Sequence, residues 1–327
     1  MNNVTETFKK IRANRDLSVF DVLSIDDLSD EDIQLILELA GAFEEVGTEK
    51  LDFLKGVSII NAFYENSTRT RSSFEFAGKH LGADTINLTG GASSVKKGES
   101  LLDTTQTLSA LQAQVLVMRS EYSGLQYFVA KHVPSVIVNA GDGWHEHPSQ
   151  GLLDAKTMLD HHGSMKGKVL TIVGDIRHSR VFGSMWRLMS RLGATIRVAA
   201  PLTFALEGTD ELNIQFYTDL EEALPGTDVL YALRVQEERG AGGFVPSLRE
   251  YSKTFGINSR RFDMINDDGI LMHAGPVIRD IDVHSNLVTH PRSKIHQQVA
   301  NGLLVRKALL WLVGNRLDGK KKSYIPL

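Results

Sequence analysis

Short apolar runs alternate with helix-patterned segments along most of this chain, and that alternation restricts the fold more than any other feature. Val57–Phe63, Ala83–Leu88, Val115–Met118 and Val136–Asn139 read as strands, separated by helical stretches at Arg71–Leu81 and Leu101–Leu111. A second series has strands at Val169–Val173, Ile196–Ala199, Val229–Leu233 and Ile270–Met272. In its helix, Val181, Met185, Leu188 and Leu192 share one face. Strands separated by helices with short loops imply βαβ units and parallel sheets. The 327 residues suit two such domains. The expected fold is α/β with two mainly parallel sheets. The domains are read as 21–150 and 151–293, after an N-terminal extension over 1–20. A long apolar-faced helix, Lys294–Gly314, lies in the C-terminal segment 294–327.

Helix boundaries are also marked. Ser29-Asp30-Glu31-Asp32 places a capping hydroxyl and carboxylates at a helix start. Pro148 suits the first turn of the helix Pro148–His161. Residues 1–20 are polar and read as a loose extension.

Composition excludes several classes. The chain has no cysteine, which removes disulfides, thiol catalysis and Cys-ligated zinc, and fits a reducing cytoplasm. A net charge of −4 argues against a nucleic-acid partner. No run of about 18 apolar residues suggests a membrane span, and the N-terminus lacks the apolar stretch of a signal peptide. The expected location is cytoplasmic.

The segment most suited to chemistry is Ser67-Thr68-Arg69-Thr70-Arg71, after a strand and at the opening of a helix. Hydroxyls, guanidiniums and a helix N-terminus together form an anion site. It is not a Walker loop, because the Gly-Lys-Ser/Thr ending is absent. Arg119 follows the strand Val115–Met118, at the carboxyl end where α/β sheets bind ligands. His147-Pro148-Ser149-Gln150 opens another helix; by itself His147 reads as an ordinary loop histidine. Arg180 and the Arg234/Gln236 pair follow strands of the second series. Two arginines suit a substrate with two carboxylates, although salt bridges to Glu237 and Glu238 are an equal reading from the residues alone. Gly90–Ser100, with Ser93 and Lys97, reads by composition as a solvated loop. Val173-Gly174-Asp175 would suit a dinucleotide site, but no G-x-G-x-x-G follows.

The run Phe63-Tyr64-Glu65-Asn66-Ser67-Thr68-Arg69-Thr70-Arg71 resembles the carbamoyl-phosphate signature of the aspartate/ornithine carbamoyltransferase family. The resemblance continues, in order, through Ser93–Glu99, Asn139–Gly143, His147–Gln150, Gly174–Arg180 and Leu233–Gln236. It implies an active site in the cleft between the two domains, a C-terminal helix in 294–327 that returns to the first domain, and direct transfer of a carbamoyl group from carbamoyl phosphate to an amine, without metal or organic cofactor. Ser67, Thr68, Arg69, Thr70 and Arg71 would hold the donor with Arg119, His147, Gln150 and Pro276; Thr70, Arg119, His147 and Arg69 would be the catalytic members. Lys97, Arg180, Arg234, Gln236, Gly275 and Pro276 would hold the acceptor. Glu65 would pair with Arg180 and Arg239. The family's 90–100 loop enters a neighbouring subunit's site, which implies a homotrimer with Ser93 and Lys97 shared across subunits. A higher assembly with regulatory chains or dihydroorotase remains open.

His273-Ala274-Gly275-Pro276 departs from the family's His-Pro-x-Pro pattern at Ala274. Arg234-Val235-Gln236 and the absence of cysteine favour L-aspartate over ornithine, because cationic side chains suit a dianionic acceptor. The implied role is an early step of pyrimidine synthesis. A non-catalytic binding subunit is disfavoured by the complete set of binding groups.

Overall fold

The computed structural model describes residues 2–89, 100–206, 212–235, 244, 247–316 and 321–325. They fall into two units, residues 1–153 with 301–327 and residues 154–300. The first unit begins with α1 (Asn2–Arg12) and α2 (Asp30–Val46), followed by β1 (Ser58–Phe63), α3 (Thr68–His80) and β2 (Asp84–Thr89). It continues with α4 (Leu101–Ala110), β3 (Val115–Ser120), α5 (Leu125–Ala130) and β4 (Val136–Asp142). α6 (Pro148–His162) carries the chain across the division. The second unit holds β5 (Val169–Val173), α7 (Arg180–Arg191), β6 (Thr195–Ala199), β7 (Ile214–Tyr217) and α8 (Leu220–Ala223). Then come β8 (Val229–Ala232), α9 (Leu248–Phe255), α10 (Ser259–Phe262), β9 (Ile270–His273) and α11 (Ile295–Gly314).

The first sheet has the order β2-β1-β3-β4 and the second β7-β6-β5-β8-β9. Every pairing is parallel. Parallel strands are covered on both faces, which is why they read as continuous apolar runs. In β3 Val115, Leu116, Val117 and Met118 are all buried, as are all four residues of β8. In each unit the chain lays strands to one side of its first strand and then to the other. The switch falls between β1 and β3 in the first sheet and between β5 and β8 in the second. Ligands in such sheets bind beyond the carboxyl ends of the strands at that point.

Strand and helix positions follow the sequence patterns to within a few residues, with α2 closed by a Ser29/Asp32 capping box. The N-terminal run differs from its reading as a loose extension. It forms α1, and Phe8 is buried with ring centroids 4.5 Å from Phe43 and 5.4 Å from Trp311. A buried Phe contributes about 1.5–3 kcal/mol, enough to hold a short helix that polarity alone would leave loose. Arg12 stacks over Trp311 and pairs with Asp16, so the polar residues are partnered as they are buried.

The C-terminal part of α11 packs on the first unit. Lys307 Nζ donates to Gly47 O at 3.1 Å and Arg306 Nη1 to Ser73 Oγ at 2.8 Å. Burial pulls the Lys307 ammonium below its ordinary pKa. Among the described residues no helix is long and apolar enough to cross a membrane, and no group of acidic, histidine or cysteine side chains could hold a metal.

Candidate active site

At the carboxyl edge of the first sheet, β1, β3 and β4 deliver three groups of side chains. β1 ends at Phe63 and the next amide, Tyr64 N, donates to Arg119 O at 2.9 Å, tying it to β3. The chain then enters α3 at Ser67, which sits in an extended conformation and makes no side-chain capping bond. α2 and α4 are instead closed by their own capping boxes. The first turn of α3 thus combines amide donors and dipole with Thr68 and Arg69, which are exposed, and with Arg71, which is half-buried. Thr70 points inward and is buried.

Arg119 is the fifth residue of β3, in register with Phe63. Its guanidinium donates to Glu65 Oε1 at 3.2 Å and reaches Ala140 O at 3.5 Å. Glu65 therefore meets Arg119 within the first unit. The expected partner Arg239 lies outside the described residues.

His147 and Gln150 open α6 and are both buried. His147 O accepts from Gln150 N at 2.8 Å and Gly151 N at 3.2 Å, the bonding of a helix cap. Pro148, which has no amide to donate, occupies the first helical position.

A buried polar scaffold holds this corner, and sequence reasoning did not identify its members as site residues. Asn139 Nδ2 donates to Asp142 Oδ1 at 2.9 Å and to Leu23 O at 2.8 Å. Asp142 also accepts from Glu146 N at 3.0 Å and Gly124 N at 2.8 Å, and Glu146 accepts from Ile25 N at 3.0 Å. Gly143 completes the turn at φ 46°. A Cβ there would lie 2.3 Å from Ser123 Oγ and 2.7 Å from its amide, so no other residue fits. The signal available in sequence was the Asn139–Gly143 motif, which marked the place without revealing the bonds.

At the carboxyl edge of the second sheet the switch point is crowded. Gly174 follows β5 at φ 121°, and a Cβ on it would come within 2.5 Å of Leu233 O. Asp175 takes His178 N at 3.1 Å and faces the His178 ring at 3.0 Å, turning the chain into α7. Ser179 caps α7, its hydroxyl accepting from Phe182 N at 3.2 Å. Arg180 is the first residue of α7 and is 2% exposed, while Arg234, just after β8, is half-buried. Burial, followed by the charges of Asp282 and Asp175, pushes the Tyr251 phenol well above its ordinary pKa, so it stays protonated.

From β9 the chain runs through His273 to a cis Gly275–Pro276 bond, with Pro276 exposed.

Ser67, Thr68, Arg69, Thr70, Arg71, Arg119, His147 and Gln150 thus share one sheet edge in the first unit. Arg180, Arg234, Gly275 and Pro276 share the corresponding edge of the second. Ser93, Lys97 and Gln236 lie outside the described residues.

Two parallel α/β sheets, each with cationic side chains gathered at its carboxyl switch point, define a two-unit protein suited to small anionic ligands. Residues 21–160 match the family model described as aspartate/ornithine carbamoyltransferase, carbamoyl-P binding domain; residues 166–313 match its Asp/Orn binding domain. The chain belongs to the aspartate/ornithine carbamoyltransferase family. It is 44% identical over 300 residues to an aspartate carbamoyltransferase catalytic subunit of Desulfotalea psychrophila, covering 90% of this chain and 94% of that one. A counterpart from Desulforamulus reducens is 46% identical over 297 residues, covering 90% and 95%. Among solved structures, aspartate transcarbamoylase of Trypanosoma cruzi with carbamoyl aspartate and phosphate is similar at a TM-score of 0.81 and 30% identity. That match covers 89% of this chain and 94% of the other.

Proposed function

We propose that this chain transfers the carbamoyl group of carbamoyl phosphate to L-aspartate, giving N-carbamoyl-L-aspartate and phosphate, an early step of pyrimidine synthesis. The observation that carries this reading is the pair Arg180 and Arg234 at one sheet edge, in a chain 44–46% identical to aspartate carbamoyltransferase catalytic subunits. Two guanidiniums suit an acceptor with two carboxylates and would oppose the cationic tail of ornithine.

In this reading the first unit holds the donor. Ser67, Thr68, Arg69, Arg71 and the uncapped start of α3 bind the phosphate. Thr70, Arg119 and His147 surround the carbamoyl oxygen, and Gln150 bonds its NH2 group. The second unit holds the acceptor through Arg180, Arg234 and Gln236, with the carbonyls at Gly275 and Pro276 receiving its amino group.

The amine attacks the carbamoyl carbon, so a C–N bond forms and negative charge builds on the carbonyl oxygen. Donors already aimed at that oxygen stabilise it without reorganisation. The C–O bond to phosphate then breaks, and the leaving phosphate takes the amine proton. Holding both reactants together is worth up to about 7–11 kcal/mol at best. The reading assigns no step to a metal or organic cofactor.

Ser93 and Lys97 from an adjacent subunit complete the site of a cytoplasmic homotrimer. Hybrids of Lys97→Ala and Arg69→Ala chains should regain activity that neither parent has; failure after verified mixing would defeat the shared site. The reaction itself is tested by incubating purified protein with carbamoyl phosphate and either L-aspartate or L-ornithine. N-carbamoyl-L-aspartate is the expected product, and formation of citrulline alone would overturn the reading.

A further inference from the structure

We propose that His273, Asp282 and Gln298 are positioning residues that orient the Gly275–Pro276 backbone toward the acceptor's amino group, an inference that rests on the function proposed above. Residue 274, between His273 and Gly275, is an alanine, so no pyrrolidine ring restrains the backbone at that position. Side chains supply restraint instead. His273 N donates to Gln298 Oε1 at 2.9 Å, and Gln298 Nε2 donates to Asp154 Oδ1 at 2.8 Å. The other oxygen of Asp154 accepts the Tyr231 hydroxyl at 2.8 Å. All four residues are buried. The carboxylate can only accept, so it turns the amide of Gln298 one way, with its oxygen toward His273.

The imidazole of His273 acts on the loop directly. Its Nδ1 accepts from Gly275 N at 2.7 Å. An accepting nitrogen carries no proton, so the proton sits on Nε2, 3.2 Å from Asp282 Oδ2. The same carboxylate oxygen accepts from Ile278 N at 2.9 Å. The loop is thus held at its entry by Gln298, at its tip by His273 and at its exit by Asp282. The neutral Nε2–H form is required, because a proton on Nδ1 would face the Gly275 N–H.

Two measurements test this. Nitrogen-15 spectra of histidine-labelled protein should contain one Nε2–H imidazole that is missing from His273→Asn; an Nδ1–H form at that position overturns the proposal. In steady-state kinetics, His273→Ala should raise the aspartate KM by about tenfold or more, the scale of a lost buried hydrogen bond. Equilibrium affinity for carbamoyl phosphate should fall far less, because all its proposed ligands except Pro276 lie in the first unit. His273→Asn, whose side-chain oxygen can accept from Gly275 N, should recover most of the loss. A role in stability alone would lower the melting temperature without this split. Unchanged aspartate KM in His273→Ala, or equal loss in the Ala and Asn variants, sinks the positioning claim while the function stands. An inactive parent protein sinks both.

Discussion

The helices α3 and α7 occupy equivalent places in their units, each following the first strand of its sheet, yet their N-termini are finished differently. Ser179 closes α7 by accepting from Phe182 N, whereas Ser67 leaves α3 without a side-chain cap. At α7 the Ser179 hydroxyl occupies one backbone donor, Phe182 N, and the charged side chain of Arg180 supplies what a ligand could bind. At α3 no side chain of the cap residue takes up an amide, and the proposed function gives those amides to the phosphate. The difference suits the two proposed substrates. A phosphate dianion is matched by a cluster of N–H groups and a helix dipole. Carboxylates carried on a longer, flexible acceptor are matched by separate guanidinium forks.

Mutations can break this comparison. The largest effect belongs to the carbonyl oxygen. His147→Ala should lower turnover by about 10²–10³, the usual consequence of removing one oxyanion donor, with a much smaller change in carbamoyl phosphate affinity. An unchanged turnover number removes His147 from the reacting centre.

Arg234→Ala comes next. It should raise the aspartate KM by about 10- to 100-fold, since a hydrogen bond to a charged group is worth about 1.5–3 kcal/mol. Equilibrium binding of carbamoyl phosphate should change little. The reverse outcome would show that the edge of the second sheet serves the donor.

The caps themselves give a paired test of about 1 kcal/mol. Ser179→Ala removes a capping bond and should lower unfolding free energy by about 0.5–2 kcal/mol. Ser67→Ala removes none, so it should leave stability nearly intact and weaken carbamoyl phosphate binding instead. Equal destabilisation in the two denaturant titrations would erase the distinction.

The smallest effect lies at the opposite edge of the second sheet, where Asp228 precedes β8. Burial works to raise its pKa but is outweighed by bonds from Val169 N at 2.8 Å, Lys168 at 3.1 Å and Asn266 at 3.1 Å, so the carboxyl sits below its ordinary range. A depressed carboxyl stabilises the fold fully above its unfolded pKa of about 3.9 and loses that contribution as pH falls through the folded value. Asp228→Asn should therefore cost about 1 kcal/mol or less at pH 7, and the mutant's stability should fall less steeply below about pH 4. Aspartate saturation should not move, because this edge carries no proposed ligand group. An acid limb identical to the parent's would contradict the assignment.

Much of this organisation was legible from residues alone, because its causes are local. Eight of the nine strands among the described residues were marked by apolar runs, and the Ser29/Asp32 box marked the start of α2. The cationic motifs could be placed at strand ends because a strand followed by a helix start is visible within ten residues. β7 escaped notice because Ile214–Tyr217 is a four-residue edge strand with only Ile214 buried, too short to show a period. The helix at the N-terminus was hidden for another reason: its polar sequence is overridden by packing against Trp311, some 300 positions later.

What the chain determined by itself, then, was a set of elements and the chemical types of their carboxyl-end residues. Repeating side-chain patterns and helix caps are properties of neighbours in sequence. The tertiary structure decided which strand lies beside which, and so which cations share an edge. It also decided the partners of buried polar groups, as in Glu146 accepting from Ile25 N, Gln298 joining Asp154 to His273, and Arg316 Nη1 donating to Val19 O. Those bonds join residues separated by 25 to 297 positions, and no local period encodes them. Burial forces each such group to find a partner, but only the packed fold determines which partner is within reach.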